Sequence, residues 1–286
     1  RVFNLGVTTI TYIVTDAANN TATCFYTVTV TDNINPTITC PANISPNVGA
    51  GTCTASVNTT NPTAADNCSV TKLTWELTGA TVASSAATGI NNLGTRIFNL
   101  GLTTVSYRVE DAAGNFTTCS YTVNVVDNIN PTITAPSATS GTTNVGCTST
   151  NVVLGTPTTA DNCSVASVTN NAPAAFPLGV TTVTWTVIDG SGKTTMANQT
   201  VTVTDNVNPT ISCSANISQN VGAGSCTASV ITPNPTIADN CSVTKLTWAL
   251  TGATVASSAT TGINNIGTRV FNLGVTTITY IVTDAA

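Results

Sequence analysis

The sequence has no histidine and very little charge: 7 Lys and Arg with 12 Asp and Glu make up 7% of its 286 residues, against roughly 25% in typical soluble domains. Without histidine the commonest general base is missing, along with the Ser-His and Cys-His nucleophile pairs and every histidine-containing metal site. The net charge of −5 provides no basic patch to attract a phosphate backbone, which excludes nucleic acid as a partner. No apolar run approaches the roughly 18 residues of a membrane span, so no membrane insertion is expected in this segment. The chain opens at Arg1 with neither methionine nor signal peptide, and it reads as an excised or processed segment whose targeting information lies elsewhere in a longer parent.

What takes the place of charge is threonine, 62 residues of it. The sequence is also a repeat of itself. Residues 1–18, RVFNLGVTTITYIVTDAA, recur letter for letter at 269–286, an offset of 268. Within that period D-N-x-N-P stands at Asp32, Asp127 and Asp205, intervals of 95 and 78. The units are therefore a truncated C-terminal part (1–31), a long repeat (32–126), a short repeat (127–204) and a second long repeat, truncated (205–286). The long forms carry an insertion, W-x-L-T-G-A-T-V-A-S-S at Trp75–Ser85 and Trp248–Ser258, which the short form lacks; an extra strand pair or a long loop is expected there.

Apolar residues alternate with period two. Tyr26, Val28 and Val30 interleave with Thr27, Thr29 and Thr31, and Ile10, Tyr12 and Val14 with Thr9, Thr11 and Thr15. That is the pattern of half-buried strands. About seven short strands per repeat predict an all-β chain of tandem immunoglobulin-like β-sandwich domains. Short Asn- and Pro-containing linkers suggest domains arranged end to end as a rod, on the order of 100 Å for three. Trp75, Trp248 and Trp185 alternate with threonine and read as core, with an exposed sugar-stacking platform as the other reading.

Ten cysteines without histidine or a C-x-x-C motif point to disulfides in an oxidising, extracellular setting. A complete long repeat has Cys40, Cys53, Cys68 and Cys119; the short repeat keeps Cys147 and Cys163 but has Ala135 and Ala197 in the outer places. Joint loss of the outer two implies the bond Cys40–Cys119. A rival pairing of Cys24 with Cys40 across a junction would set Cys119 against Ala135 and Cys213 against Ala197, orphaning both. The inner bonds are then expected to be Cys53–Cys68, Cys147–Cys163 and Cys226–Cys241, with Cys24 and Cys213 cut off from their partners.

All ten aspartates fall at three recurring places. Asp32, Asp127 and Asp205 begin the linkers; Asp66, Asp161 and Asp239 stand in A-D-N-C-S-V; Asp16, Asp111, Asp189 and Asp284 close the strand before the last hairpin. In an immunoglobulin-like topology these three places share one end of the sandwich. Carboxylates gathered there repel unless a cation joins them, and calcium suits an oxygen-only set. The expected sites, one per junction, are Asp32/Asp66/Asp111, Asp127/Asp161/Asp189 and Asp205/Asp239/Asp284, with Asn35, Asn130 and Asn208 nearby. The linker resembles the calcium-binding interdomain linker of cadherins, with one aspartate where theirs is more acidic. The same aspartates also suit Asx-turns that bond their own backbone, and both readings stand at this point. An enzyme is not expected, because carboxylates repeated identically in every unit do not make one cleft.

Taken in order, D-N-x-N-P-x-I-x-C-P (32–41), A-D-N-C-S-V (65–70), L-G-x-T-T-V-x-Y-x-V-x-D-x-A-G-N (100–115) and C-x-Y-x-V-x-V-x-D (119–127) resemble the hyalin repeat, or HYR, family across essentially the whole chain. The resemblance implies an immunoglobulin-like extracellular module associated with adhesion. Near-identical Thr- and Asn-rich arrays of this kind are similar to those of SprB-type surface adhesins of gliding bacteria. On that resemblance the chain would be a structural stalk of a secreted surface filament, projecting an adhesive tip and transmitting force, with the neighbouring repeats as its partners. The alternative is a ligand-binding module that takes surface polysaccharide or another substratum through the insertion.

Overall fold

A computed structural model describes all residues, 1–286, and contains strands and turns but no helix. In chain order the first strands are β1 (Gly6–Thr15), β2 (Thr21–Val30), β3 (Thr37–Thr39), β4 (Thr54–Asn58), β5 (Thr63–Ala65), β6 (Val70–Gly79), β7 (Ala83–Ser84), β8 (Thr95–Asn99), β9 (Gly101–Asp111) and β10 (Phe116–Val125). The short repeat supplies β11 (Thr132–Thr134), β12 (Thr139–Thr142), β13 (Thr148–Ser149), β14 (Thr158–Ala160), β15 (Val165–Asn170), β16 (Phe176–Pro177), β17 (Gly179–Asp189) and β18 (Thr194–Thr204). The last repeat supplies β19 (Thr210–Ser212), β20 (Thr227–Thr232), β21 (Thr236–Ala238), β22 (Val243–Gly252), β23 (Ala256–Ser257), β24 (Gly267–Asn272) and β25 (Thr276–Asp284).

The chain forms two compact units whose limits do not follow the repeats. One comprises Arg1–Pro131, Ala160–Ala166 and Ile188–Lys193; the other comprises Thr132–Thr159, Ser167–Val187 and Thr194–Ala286. The first unit thus takes in the linker and two loops of the short repeat.

In the first unit the antiparallel sheet β10-β9-β6-β7 faces the pairs β4-β8 and β3-β5. Period-two alternation carries the packing: along β9, Thr103, Val105, Tyr107, Val109 and Asp111 are buried in turn while their neighbours are not. Phe98 and Leu77, both fully buried, fill the space between the sheets beside Trp75. Trp75 is 6% exposed and lies under the Arg96 guanidinium, 4.4 Å from the ring centroid, so it is core and no sugar platform. The insertion folds back on β6 as the edge strand β7. The hairpin into it closes at Gly79 (φ +98°), where a Cβ would stand 2.4 Å from the Leu102 carbonyl oxygen. Strands β1 and β2 pair only with each other.

In the second unit the short repeat builds β12-β18-β17-β15 around Phe176, Val183, Trp185, Val201 and Val203. Trp185 and Gln199 occupy the places of Tyr107 and Tyr121 in the long repeat. There the two tyrosine rings stack at 6.5 Å; here the Trp185 indole N–H donates to Gln199 Oε1 at 3.0 Å. The buried Gln199 amide in turn donates to the carbonyls of Ser137 and Leu154, at 2.9 and 2.8 Å. The last repeat has the three-stranded sheet β23-β22-β25 over β20-β24, around Trp248, Leu250 and Ile266.

The structure bonds Cys40 to Cys119, with Cα atoms 5.8 Å apart. The inner cysteines pair differently from expectation: Cys53 bonds Cys163, Cys147 bonds Cys241, and Cys68 and Cys226 are free. The expected Cys53–Cys68, Cys147–Cys163 and Cys226–Cys241 bonds are therefore replaced by bonds between consecutive repeats. The reason lies in where the strands put the residues. After β3 the chain runs the length of the sandwich, and the Val48 N–H reaches the Val126 carbonyl at 3.0 Å, next to the linker that leaves the repeat. Cys53 follows at that end. Strands β4 and β5 then carry the chain back toward Asp32, where Thr37 pairs with Ala65, just before Cys68. Two cysteines at opposite ends of a sandwich cannot meet the 4.4–6.8 Å Cα separation that a disulfide requires.

Candidate metal centre at the repeat junctions

The three aspartate classes reach the junction by three local devices. Each linker aspartate opens an Asx-turn: the N–H groups of Ile34, Ile129 and Val207 donate to Oδ1 of Asp32, Asp127 and Asp205, each at 3.1 Å. Each A-D-N-C aspartate accepts two successive N–H groups on Oδ2, those of Cys163 and Ser164 at 2.8 and 2.9 Å in the case of Asp161. Asp66 and Asp239 repeat this with Cys68, Ser69, Cys241 and Ser242. The third class ends a core-facing series. Because i, i+2 residues of β9 and β17 point inward, Asp111 and Asp189 are drawn into the interior and are 3% and 2% exposed. Their Oδ1 atoms accept two hairpin N–H groups each, at 2.8–2.9 Å.

Turn chemistry is thus present at every aspartate, but it uses one oxygen of each. The second oxygen distinguishes the junctions. At Asp127, a buried residue, Oδ2 has no hydrogen-bond donor; Asp161 Oδ1, Asn162 Oδ1 and Asp189 Oδ2 have none either. Ligand atoms of Asp127 and Asp161 lie within 4.8 Å of one another. The Gly190 N–H donates to the Ser164 carbonyl at 3.0 Å and sets the Asp189 turn against the Asp161 turn. Four buried acceptors and no donor are costly to leave as they are. An oxygen-coordinated dication relieves that cost, and the donor set fits calcium. All of these residues belong to the first compact unit.

The other two junctions are better satisfied from within. In the first, Asn115 Nδ2 donates to Asp111 Oδ2 at 2.7 Å and to the Asp32 carbonyl at 3.2 Å. The short repeat has Lys193 in place of Asn115, and Asp189 Oδ2 loses that donor. Asp32 and Asp66 again meet within 4.8 Å, together with the Cys68 sulfur. The Cys68 thiol, and next the Ile34 N–H, hold the Asp32 carboxyl below its usual range; the same bond raises the thiol. At the third junction the Val207 N–H, with Asn240 and Thr143, lowers the Asp205 carboxyl. Asn240 donates to Asp205 Oδ1 at 3.1 Å, and Asp239 Oδ1 and Asn240 Oδ1 are left without donors. Asp284 accepts only the Ala286 N–H on its side chain, at 2.9 Å.

Asn35, Asn130 and Asn208, expected beside the carboxylates, are exposed. The asparagines whose amides bond the linker aspartates are Asn67, Asn162 and Asn240, each immediately after an A-D-N-C aspartate. Their amides donate to the linker aspartates at 3.4, 3.5 and 3.1 Å. The signal was in the sequence, because this asparagine directly follows a candidate ligand in all three repeats. Asn162 also donates to the Thr52 carbonyl, at 3.0 Å, beside the Cys53–Cys163 bond. With Cys163 in a disulfide, the atoms there that could hold an ion are oxygens.

The HYR domain model matches residues 1–30, 31–125 and 126–203. The chain belongs to the HYR domain family. Among curated relatives, the hyalin of Strongylocentrotus purpuratus is 32% identical over 293 residues, covering 99% of this chain and 22% of that protein. The hyalin of Lytechinus variegatus is 32% identical over 250 residues, covering 83% of this chain and 44% of that one. The chain thus spans less than half the length of either relative. Among solved structures, human CDH23 EC21-23 gives a TM-score of 0.32 at 15% identity over 84% of this chain and 90% of that one. Protocadherin Gamma B7 extracellular cadherin domains 1-4 gives 0.33 at 9% over 93% and 80%. Scores so low bear on neither site nor function. No helix is long and apolar enough to cross a membrane.

Proposed function

We propose that this HYR array is a structural section of an extracellular adhesion protein, and that its working parts are the junctions between repeats. The observation that carries this is the Cys53–Cys163 bond beside the carboxylates of Asp127 and Asp161. A covalent staple and a charge-neutralising cation at one place resist bending and shear where a tandem array is weakest, since such arrays are stabilised by a sum of unit and nearest-neighbour terms. Calcium, when bound, supplies positive charge and extra coordination. The chain's own residues supply two aspartates already fixed by their turns and an asparagine held between them.

The narrower form, a stalk of an SprB-type adhesin in a gliding bacterium, rests on the character of the array alone; the curated relatives matched are sea-urchin proteins and lend it no support. Polysaccharide binding through the insertion is not favoured, because its tryptophans are buried. No catalytic role is proposed.

The test is thermal unfolding of the chain in calcium and in chelator, beside Asp161→Asn, which keeps an acceptor for the Asx-turn but removes the charge. A hundredfold excess of calcium over its dissociation constant stabilises the native state by about 2.7 kcal/mol. A rise in melting temperature that the variant loses supports the site. Superimposable curves for the parent chain would refute it.

A further inference from the structure

The hairpins that follow β9 and β17 share one backbone and carry different side chains. In the first, D-A-A-G-N (111–115), the Asp111 N–H donates to the Asn115 carbonyl at 3.1 Å. Asp111 Oδ1 accepts the N–H groups of Ala113 and Asn115, at 2.8 and 2.9 Å. In the second, D-G-S-G-K (189–193), the Asp189 N–H donates to the Lys193 carbonyl at 3.0 Å. Asp189 Oδ1 accepts those of Ser191 and Lys193, both at 2.8 Å. Gly114 and Gly192 take the same left-handed conformation, with φ of +92° and +85°. Both aspartates are buried. The long and short repeats thus offer a controlled comparison of side chains on one hairpin.

The last position differs most. Asn115 Nδ2 donates to Asp111 Oδ2 at 2.7 Å and to the Asp32 carbonyl at 3.2 Å, so one amide satisfies the buried carboxylate and ties the hairpin to the linker. Lys193 does neither. Its donors stand at the end of a four-carbon stem, and its ammonium makes no ion pair; the chain's two ion pairs are those of Glu110 with Lys72 and with Arg108. Asp189 Oδ2 is left buried without a donor, as are Asp127 Oδ2 and Asp161 Oδ1.

The second position adds to this. Gly190 stands where the long repeat has Ala112. Its N–H reaches the Ser164 carbonyl at 3.0 Å, and a Cβ there would lie 2.7 Å from the Ser164 hydroxyl oxygen. Glycine lets the Asp189 turn close on the Asp161 turn without moving that hydroxyl. Ligand atoms of Asp161 and Asp127 are in turn within 4.8 Å of each other.

From this pair of hairpins we infer that the last hairpin residue decides which junction takes the cation: asparagine closes a junction with its own amide, and Lys193 leaves the Asp127 junction open to calcium, an assignment that rests on the calcium reading proposed above. A dication that takes Asp189 Oδ2 has no donor to displace. At Asp111 Oδ2 it would have to displace a charge-assisted hydrogen bond, which weakens binding about tenfold or more. The long repeat answers its buried carboxylate from within the fold, and the short repeat leaves it to the solution. Calcium therefore stiffens the junction at Asp127 and leaves the one at Asp32 unchanged.

The test is calorimetric titration of the whole chain with calcium chloride, together with thermal unfolding in chelator, for the parent, Lys193→Asn and Lys193→Ala. The binding event followed is the one that Asp161→Asn removes. Lys193→Asn puts the long-repeat residue on the short-repeat hairpin, and its calcium affinity should fall about tenfold or more. Its melting temperature in chelator should rise above that of the parent, because a buried oxygen gains a donor. Lys193→Ala brings no donor and should bind calcium at least as tightly as the parent. A parent that binds no calcium would overturn the calcium reading and the assignment together. Calcium binding by the parent that Lys193→Asn leaves unchanged would overturn the assignment alone. So would an equal loss in both variants, which would make the lysine itself part of the site.

Discussion

Removing the Cys163 sulfur separates the observed inner pairing from the one the sequence suggested. Cys53 and Cys163 are 110 residues apart, but the Cys40–Cys119 bond shortens the closed loop. Running back from Cys53 to Cys40, across that bond, and on from Cys119 to Cys163 leaves about 57 residues, for which the chain-entropy model gives about 4 kcal/mol at 25 °C. Cys53→Ala, Cys163→Ala and the double variant should each lose about 2–4 kcal/mol, with the double no worse than either single change, because one bond is lost in all three. Cys68→Ala should change stability by less than about 0.5 kcal/mol. Equilibrium urea unfolding reports this best in a Trp185→Phe, Trp248→Phe background, where fluorescence follows Trp75 in the core of the first unit. A loss for Cys68→Ala equal to that for Cys53→Ala, with Cys163→Ala neutral, would refute the inter-repeat bond and restore the pairing within a repeat.

Two further outcomes follow from the buried polar groups. Gln199→Ala strips partners from the Trp185 indole and from the Ser137 and Leu154 carbonyls, and should destabilise the short repeat by about 2–4 kcal/mol in urea unfolding of a chain that keeps Trp185 as its only tryptophan, Trp75 and Trp248 being changed to Phe; a change below about 1 kcal/mol would show that water replaces the amide. Burial, reinforced by the neighbouring Tyr121, pushes the Tyr107 hydroxyl up to about 12. Its contribution to stability is complete below the unfolded value near 10 and is lost as pH rises through 12, by about 2.7 kcal/mol at most. Stability measured against pH should fall in that window, and Tyr107→Phe should flatten the fall.

Much of the fold was legible because it is written in period two. The alternation of Tyr, Val and Ile with Thr fixes which face of each strand is buried, and the same arithmetic carries Asp111 and Asp189 inward at the ends of β9 and β17. The Cys40–Cys119 bond was legible for another reason: the short repeat loses both members together, so composition alone ties them. The inner cysteines offered no such evidence, because every repeat keeps both of its own, and a pattern without losses is the same whether bonds close within a repeat or across a junction.

Three things were decided only by tertiary structure. The run of β3 through Val48 to the Val126 end, and of β4 and β5 back to the Asp32 end, puts Cys53 and Cys68 at opposite ends of one sandwich and Cys53 beside the next repeat. Hydrogen bonds put the Asn67, Asn162 and Asn240 amides on the linker carboxylates, while Asn35, Asn130 and Asn208 are exposed. Replacement of Asn115 by Lys193 leaves Asp189 Oδ2 without a donor and makes the Asp127 junction the one with four unpartnered oxygens. The sequence by itself determined the repeat, the strands, their inward faces and the outer disulfide, since these follow from local alternation and from comparing one repeat with another. Which ends meet, and which oxygens are left without a partner there, depends on distances between residues far apart in the chain, and only the packed sandwich sets those.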